Sequence, residues 1–220
     1  GQARGTRWGV AVNPKPGTAG RPAPYAASMG SSDAISTTAE ATTAGSVHVP
    51  PSPIATADIS VVVLTVSDRS SRGEREDRSG PAAVEALRGA GIESIGRAVI
   101  PDGQEVVESA LEDAIEAGAD LVLTLGGTGV GPRDQTPEGT RPLIELELPG
   151  VAEGLRAAGT RKVATAALSR GIAGIGRPSS GGHRSIIVNL PGSTGGARDG
   201  VEYLMPLLPH LVDQLRGGDH

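Results

Sequence analysis

Three short apolar segments recur along the chain, at residues 59–66, 119–125 and 185–190. The first reads ISVVVLTV and is almost entirely β-branched and apolar, which is typical of a strand covered on both faces in a parallel sheet. Residues 92–100 predict one more strand. Apolar residues at helical spacing separate the strands, at residues 81–90, 104–117 and 194–216. This alternation predicts an α/β fold, a three-layer sandwich with a mostly parallel sheet.

Capping residues and prolines predict where several helices begin and end. Ser79 is a candidate N-cap for the first helix. Thr136 can cap a later helix that runs to about Glu147, and Pro137 suits its first helical position. Pro149-Gly150 then interrupts the helical pattern.

The second half of the chain has a less regular pattern. Residues 151–158 predict a restarted helix, residues 162–168 a short strand, and the glycine-rich residues 169–182 a hairpin or loop. The apolar stripe of the last helix contains Pro206 and Pro209, which should kink that helix or split it in two.

Residues 1–56 differ in composition from the rest of the chain. Proline, serine, threonine, alanine and glycine fill most of this segment, and its apolar residues show no periodicity. Such a segment cannot bury enough apolar surface to offset the entropy that ordering costs. We therefore predict a disordered N-terminal arm over residues 1–56 and a folded domain over residues 57–220. The stretch to about Tyr25 is compatible with an extension foreign to the natural protein, with Met29 as the natural start.

Composition and charge narrow the classes of function. The chain has a net charge of −5 and a pI near 5.4, which disfavours nucleic-acid binding. The absence of cysteine excludes disulfides, thiolate metal sites and cysteine nucleophiles. No apolar run reaches the ~18 residues that cross a membrane, and the N-terminus lacks the apolar core of a signal peptide. These features predict a soluble cytoplasmic protein with neither nucleic-acid nor membrane partners.

Four polar or glycine-rich loops follow the predicted strand ends, at residues 67–69, 101–103, 126–134 and 189–194. If the strands are parallel, these loops meet at one edge of the sheet, where α/β folds bind their ligands. The histidines add no catalytic group, because His183 and His210 lack partners at catalytic or metal-binding spacing. Lys162 is the only lysine of the predicted domain.

The glycine turn at residues 126–131, GGTGVG, has two interpretations. Backbone amides of small residues can approach phosphate oxygens. A tight turn with positive φ requires glycine equally well. The turn is not a Walker A loop, because no Lys-Ser/Thr pair follows it, and it is not a GxGxxG fingerprint.

Asp102 and Asp134 stand just beyond predicted strand ends. Carboxylates beside a phosphate-binding turn suit a Mg²⁺ ion that bridges phosphate oxygens. The alternative is structural, with Asp102 as the turn residue of Pro-Asp-Gly and Asp134 as a carboxylate at a helix start.

The other two loops also have open interpretations. The polar segment that contains Ser67, Asp68 and Asp77 either holds a ligand through its amides and hydroxyls or is solvated surface. The segment at residues 189–193 either binds an anion at a helix start or makes an ordinary turn between a strand and a helix.

Six segments, taken together and in order, resemble the MoaB/Mog family of molybdenum cofactor biosynthesis. They are VLTVSDRSSRGEREDRSG (63–80), IPD (100–102), LTLGGTGVGPRDQTPE (123–138), LPG (148–150), LSRGIAG (168–174) and IVNLPGS (187–193). The resemblance spans residues 59–215, and the ordered set is far more specific than any single motif.

The resemblance implies a molybdopterin-binding fold, a homotrimer or dimer of trimers, and a molybdopterin adenylyltransferase. Active members join molybdopterin to the AMP of Mg-ATP and release pyrophosphate, so ATP is a substrate and Mg²⁺ a cofactor. The product then passes to a molybdenum-insertion protein. The resemblance implies Mg²⁺ binding and catalysis by Asp102 and Asp134. It implies binding of nucleotide and pterin by three loops, with Ser67, Asp68, Asp77, Ser79 and Gly80 in the first, Gly126, Gly127, Thr128 and Gly129 in the second, and Asn189, Pro191 and Gly192 in the third.

One segment departs from the family pattern. Many relatives carry a lysine after the last Pro-Gly, as in PGSPKG, whereas this chain reads PGSTGG and has Arg198 as its next basic residue. If that lysine holds the substrate's anion, pterin affinity depends on whether Arg198 reaches the site. The family also contains members that bind molybdopterin without adenylylating it, so the alternative function is a non-catalytic molybdopterin carrier or assembly scaffold. The presence of both aspartates favours the enzyme.

Overall fold

The computed structural model describes residues 52–218. Within that range the strands are β1 (Ser60–Val66), β2 (Ser94–Ile100), β3 (Leu121–Leu125), β4 (Ile144–Glu147), β5 (Ala173–Gly176) and β6 (Ile186–Leu190). They form one sheet in the order β2-β1-β3-β6-β5-β4. The first four strands of that order are mutually parallel, and β5 is antiparallel to both of its neighbours. The predicted α/β fold with a mostly parallel sheet is therefore confirmed.

Helices cover both faces of the sheet. In residues 52–218 the α-helices are α1 (Asp68–Ser71), α2 (Ser79–Gly89), α3 (Gln104–Glu116), α4 (Thr136–Thr140), α5 (Pro149–Thr160), α6 (Thr194–Leu204) and α7 (Leu208–Leu215). Short 3-10 helices lie at Thr56–Asp58, Arg141–Leu143 and Ala164–Leu168. Among the helices of this range, none combines the length and the apolar character that crossing a membrane requires.

The central strand β1 shows why the fold has three layers. All seven of its residues are buried, and their side chains alternate between the two faces of the sheet. Val61 and Val63 belong to the apolar cluster formed with α2, α5, α6 and α7. Val62 and Leu64 belong to the cluster formed with α3. Five of its seven residues are apolar, as expected where water reaches neither face, and the exceptions are the buried Ser60 and Thr65.

The predicted helix from Thr136 to about Glu147 is wrong in its second half. Helix α4 ends at Thr140, and a 3-10 turn leads into β4, whose Ile144 pairs with Gly176. Pro142 cannot donate the backbone hydrogen bond that a continuing α-helix needs at that position. Thr136 is also not an N-cap, because its hydroxyl donates to the Gly126 carbonyl at 2.8 Å.

The predicted strand at residues 162–168 is also wrong. This segment contains the 3-10 helix at Ala164–Leu168, which packs against α5 instead of joining the sheet. The approach is close, because a methyl group on Gly159 would lie 2.8 Å from the Ala166 Cβ. Small side chains on both segments allow this helix-to-helix contact.

Three further predictions about element boundaries have clear outcomes. Ser79 lies inside α2 and does not cap it, since Asp77 accepts the Gly80 N–H at 3.0 Å. Helix α5 begins at Pro149, so the Pro-Gly pair starts that helix. The expected split of the C-terminal helix is confirmed, with α6 and α7 separated around Pro206.

Residues 1–51 and 219–220 lie outside the described residues, and with them most of the predicted N-terminal arm. The few described residues before position 57 contact the domain. The Ser52 hydroxyl donates to the Pro209 carbonyl at 3.1 Å, and Ile54 packs against the cluster that contains α7.

Candidate functional site at the carboxyl edge of the sheet

The loops that follow β1, β2, β3 and β6 lie at one edge of the sheet, as predicted from parallel strands. Backbone contacts join neighbouring loops there. The Ser67 N–H donates to the Ile100 carbonyl at 2.9 Å, and the Gly126 N–H donates to the Leu190 carbonyl at 3.0 Å. The end of β1 is thus fixed to that of β2, and the end of β3 to that of β6, which supports the polar loop residues.

The loops after β1 and β2 are joined through two carboxylates. The Asp68 N–H donates to Asp102 Oδ2 at 3.1 Å, and the Asp102 N–H donates to Asp68 Oδ1 at 3.1 Å. Ser67 accepts the Ser70 N–H on its hydroxyl and so caps the short helix α1. Arg133, from the loop after β3, lies 3.6 Å from Asp68 Oδ2. Three predicted site residues, Ser67, Asp68 and Asp102, are therefore brought together.

The residues Asp77, Ser79 and Gly80 form a separate network. Asp77 Oδ1 accepts from the Ser79 hydroxyl at 3.1 Å and from the Gly80 N–H at 3.0 Å. Its Oδ2 accepts from the Thr65 hydroxyl and from Arg97 NH1 at 2.8 Å. The Asp77 side chain is only 8% exposed. In this structure the three residues fix the start of α2 onto β1 and β2.

The glycine turn after β3 requires glycine at its first two positions. Gly126 has φ +108° and Gly127 has φ +63°. A methyl group on Gly126 would lie 2.6 Å from the Val66 carbonyl oxygen, and one on Gly127 would lie 2.3 Å from the Thr136 hydroxyl. The turn therefore packs against β1 on one side and α4 on the other, with backbone in place of side chains.

Asp134 closes the glycine turn through its side chain. Its Oδ2 accepts the Gly131 N–H at 2.9 Å, and its own N–H donates to the Gly131 carbonyl at 3.0 Å. The same oxygen would lie 2.9 Å from a methyl group on Gly129, so the carboxylate sits directly against the turn. Asp134 therefore has a structural role in the turn, through the Gly131 N–H and not through an N–H group of helix α4.

Arg170 holds the glycine turn through several hydrogen bonds. The sequence did not indicate it as a site residue. Its backbone N–H donates to the Thr128 carbonyl at 2.8 Å, and its Nε donates to the Gly129 carbonyl at 2.7 Å. Its NH2 donates to the Asp134 carbonyl, and its guanidinium pairs with the Glu138 carboxylate. That pairing raises the Arg170 pKa and lowers the Glu138 pKa, in each case chiefly through the side-chain hydrogen bond.

Arg170→Ala should lower the free energy of unfolding by about 1 kcal/mol, a value discounted because the guanidinium is 38% exposed. Urea denaturation measures the change. Because the folded-state pKa of Glu138 is lowered, the pair stabilises the protein above the ordinary glutamate pKa and loses this contribution as pH falls through the folded-state pKa. The variant should therefore show a weaker loss of stability on acidification.

Arg177→Ala serves as the matched control, because Arg177 is exposed and lies 3.8 Å from Glu112 on α3, away from the glycine turn. Hydrogen exchange at residues 129–131 separates a local clamp from a general effect. Faster exchange in the Arg170 variant but not in the Arg177 variant is expected, and equal exchange in both would contradict the clamp.

The loop after β6 is organised by Asn189. Its amide donates to the hydroxyls of Thr124 and Thr140, both at 2.9 Å, and its side-chain oxygen accepts the Ile172 N–H at 3.2 Å. Asn189 is 4% exposed, so its side chain joins β3, α4 and the residue before β5 inside the protein. This fixes the path of Pro191-Gly192, where Gly192 packs against the Gly126 backbone.

A cavity of about 470 Å³ opens beside the glycine turn and the loop after β6. Its walls come from the glycine turn, α5, the 3-10 helix that follows α5, and the first turns of α6. The charged side chains in its lining are Arg156, Lys162 and Asp199. The volume is in the range of pockets that hold small-molecule ligands.

The predicted site residues divide into two groups around this cavity. Thr128, Gly129, Asn189 and Pro191 line it directly. Gly126, Gly127, Gly192 and Asp134 shape the two loops behind that lining. Ser67, Asp68 and Asp102 lie along the same sheet edge, and Asp77, Ser79 and Gly80 form the network on β1 and β2.

The candidate Mg²⁺ ligands at this edge of the sheet are the carboxylates of Asp102 and Asp134. Within residues 52–218 no group of three His, Cys, Asp or Glu side chains forms a metal site. Asp102 and Asp134 each use Oδ2 in a hydrogen bond to a backbone N–H, and carboxylate oxygen is the ligand type that Mg²⁺ prefers. Mg²⁺ commonly takes one or two carboxylates and completes its shell with water and substrate phosphates. By donor type alone, the two carboxylates therefore fit a Mg²⁺ ion whose remaining ligands come from outside the protein.

Residues 62–210 match the family model described as a probable molybdopterin binding domain. The chain is 40% identical over 156 residues to a molybdopterin adenylyltransferase from Pyrococcus furiosus, a match that covers 70% of this chain and 89% of the relative. It is 37% identical over 169 residues to a molybdenum cofactor biosynthesis bifunctional protein from Synechococcus elongatus, covering 76% of this chain but only 50% of that protein.

Solved structures agree with these sequence matches. A molybdopterin biosynthesis protein from Mycobacterium abscessus superposes with a TM-score of 0.64 at 40% identity. The superposition covers 70% of this chain and 94% of that structure.

Proposed function

Because the chain belongs to the MoaB/Mog family of molybdenum cofactor biosynthesis proteins, we propose that it transfers the adenylyl group of ATP to molybdopterin. The observation that carries the proposal is the cavity lined jointly by Thr128 and Gly129 of the glycine turn and by the loop after β6. A family member about 40% identical is named molybdopterin adenylyltransferase, and the chain spans most of its length. The bifunctional relative is matched over half its length, so its second activity is not carried over.

The reaction joins two phosphates. An oxygen of the terminal phosphate of molybdopterin attacks the α-phosphorus of ATP, the bond to the β-phosphate breaks, and pyrophosphate leaves. Attack and departure lie in line, so the protein must hold two anionic substrates close together and neutralise their charge. No side chain needs to act as a nucleophile.

The chain's own residues supply positioning at the sheet edge. In the proposal the backbone amides of residues 127–129 approach phosphate oxygens, and Asp134 and Arg170 hold that turn in shape. Asp102 and Asp134 would hold Mg²⁺, which when bound neutralises phosphate charge. The backbone N–H of Asp68 donates to the Asp102 carboxylate and that of Asp102 to the Asp68 carboxylate, and these two bonds keep the Asp102 carboxylate at the sheet edge.

Release of pyrophosphate tests the proposal. We expect the purified protein to release pyrophosphate from ATP only when molybdopterin and Mg²⁺ are both present, and to form adenylyl-molybdopterin in equal amount by mass spectrometry. Omission of each component in turn is the control. Binding of molybdopterin without pyrophosphate release would instead support the carrier or scaffold alternative, which the names of the relatives do not favour.

Three further parts of the proposal rest on the family resemblance. They are a homotrimeric or dimer-of-trimers assembly, a cytoplasmic location, and hand-over of the product to a molybdenum-insertion protein. Sedimentation velocity tests the first, because a trimer has three times the chain mass of 22.1 kDa. A monomer at micromolar concentration would contradict it.

A further inference from the structure

The charged side chains that line the cavity are the Lys162–Asp199 ion pair and Arg156, which is hydrogen-bonded to the backbone. Lys162 Nζ donates to Asp199 Oδ1 at 2.7 Å, which links the end of α5 to α6 across the cavity wall. Arg156 also lines the cavity, but its NH1 donates to the Gly171 carbonyl at 2.9 Å. The guanidinium is therefore used in part to hold the segment before β5.

Arg198 does not supply the missing basic residue of the loop after β6. The sequence there reads PGSTGG, and Arg198 is the next basic residue. Its NH2 lies 3.5 Å from the carboxylate of Glu85 on α2, and Arg198 is not part of the cavity lining. The ammonium group in that lining belongs to Lys162, the only lysine of the described residues.

The Lys162–Asp199 ion pair is exposed enough for the lysine to leave the carboxylate and bind another anion. Its side chains are 64% and 30% exposed, and an exposed ion pair of this kind contributes little to stability. The hydrogen bond that Lys162 donates to Asp199 raises the pKa of Lys162, so the side chain is an ammonium ion at neutral pH. A lysine carries this charge on a flexible four-carbon stem, which can move from a carboxylate to a nearby phosphate.

We propose that Lys162 binds the phosphate group of the pterin substrate, in place of the lysine that many relatives carry after Pro-Gly, and that Asp199 holds its ammonium group while the cavity is empty. The inference rests on the proposed function, since that function puts a phosphorylated pterin in this cavity. Lys162 is a binding residue in this scheme and takes no part in bond making. Asp199 competes with the substrate for the same ammonium group.

Lys162→Gln should raise the KM for molybdopterin roughly tenfold, as expected for loss of one charged hydrogen bond. The KM for ATP should stay within about twofold of the wild-type value, because Lys162 binds the pterin phosphate and does not contact the nucleotide. Lys162→Arg should recover most of the affinity. Asp199→Asn removes the competing carboxylate, so it should lower the KM for molybdopterin about twofold.

Arg161→Gln is the matched control, because it makes the same change of charge one residue away, at an exposed position outside the cavity lining. The full chain with Arg161→Gln should keep the wild-type KM. Thermal unfolding should be nearly unchanged in all four variants, since Arg161 and Lys162 are exposed and the Lys162–Asp199 pair contributes little to stability. Equal KM values for the variants at positions 161 and 162 would overturn the inference.

Direct binding separates this inference from the proposed function. Isothermal titration with purified molybdopterin, without ATP, measures affinity in the wild type and in Lys162→Gln at two salt concentrations. Weaker binding and a shallower salt dependence in the variant support the role of Lys162 even if no pyrophosphate is ever released. Equal affinities in the two proteins reject it while leaving adenylylation intact, and a wild type that binds no molybdopterin rejects both.

Discussion

Asp134→Asn is expected to lower the kcat for pyrophosphate release roughly 100-fold, the usual scale for losing one group that stabilises charge in a transition state. The asparagine side-chain oxygen can still accept the Gly131 N–H that Asp134 Oδ2 accepts at 2.9 Å, so the glycine turn keeps its shape. What the variant loses is the negative charge that would hold Mg²⁺ against the phosphates. Steady-state assays at saturating ATP and molybdopterin measure the effect.

Asp58→Asn controls for a general effect of losing a carboxylate. Asp58 is exposed and lies before the amino end of β1, at the opposite edge of the sheet from the site. This variant should retain wild-type kcat. If Asp134→Asn also retained it, Asp134 would be a structural residue of the turn and the proposed role in Mg²⁺ binding would be wrong. If the Asp134→Asn variant needs a higher Mg²⁺ concentration for half-maximal activity, the substitution weakens Mg²⁺ binding.

Gly126→Ala is expected to lower the free energy of unfolding by roughly 3 kcal/mol, because a non-glycine residue is strained at φ +108° and its methyl group would meet a backbone oxygen. The contact is only 2.6 Å, with the Val66 carbonyl at the end of the central strand β1, which cannot move aside without disturbing the sheet. Displacement of the turn should also remove molybdopterin binding. Urea denaturation and isothermal titration report the two effects.

Gly89→Ala is the matched control for this substitution. Gly89 is the last residue of α2, and a methyl group there would meet no atom within 4 Å. Its unfolding free energy should stay within about 0.5 kcal/mol of the wild type. If Gly126→Ala were as stable as Gly89→Ala, the glycine turn would be able to adjust and would not be rigid.

The parallel half of the sheet was predictable from sequence because burial on both faces favours runs of mostly apolar residues. Residues 59–66 and 185–190 have that composition, and both form interior strands. The loops that follow such strands could then be placed at one edge without knowing any contact. Gly126 and Asp134 lie in such a loop as predicted, whereas Asn189, predicted at the start of the loop after β6, lies within β6 itself.

The antiparallel part of the sheet was not predictable by the same reasoning. Strand β4 has only four residues, of which Ile144 is half-buried and the other three are exposed, so its apolar pattern is weak. Strand β5 reads AGIG, in which two glycines carry no side-chain signal. Both strands exist because of tertiary pairing, with Ala173 opposite Val188 and Gly174 opposite both Ile187 and Glu147.

The direction of β5 explains why Arg170 was missed. In a parallel sheet the ligand edge receives the loop after each strand, but an antiparallel strand brings the segment before it to that edge. Asn189, near the carboxyl end of β6, donates its N–H to the Ile172 carbonyl just before β5. Arg170 and the preceding 3-10 helix therefore reach the glycine turn. The only sequence signal for this was the position of Arg170 inside the LSRGIAG segment of the family resemblance.

Because Lys162 is the only lysine of the described residues, a dye can be attached to the cavity at a single side-chain amine. In the full chain only Lys15 and Lys162 carry side-chain amines. A Lys15→Arg protein labelled with an amine-reactive dye above neutral pH would carry the dye at Lys162, with the α-amino group as the other target. The bond to Asp199 raises the pKa of Lys162 and so slows its acylation, since only the neutral amine attacks. Labelling kinetics would thus follow the state of the ion pair, and a dye at this position would report on occupancy of the cavity.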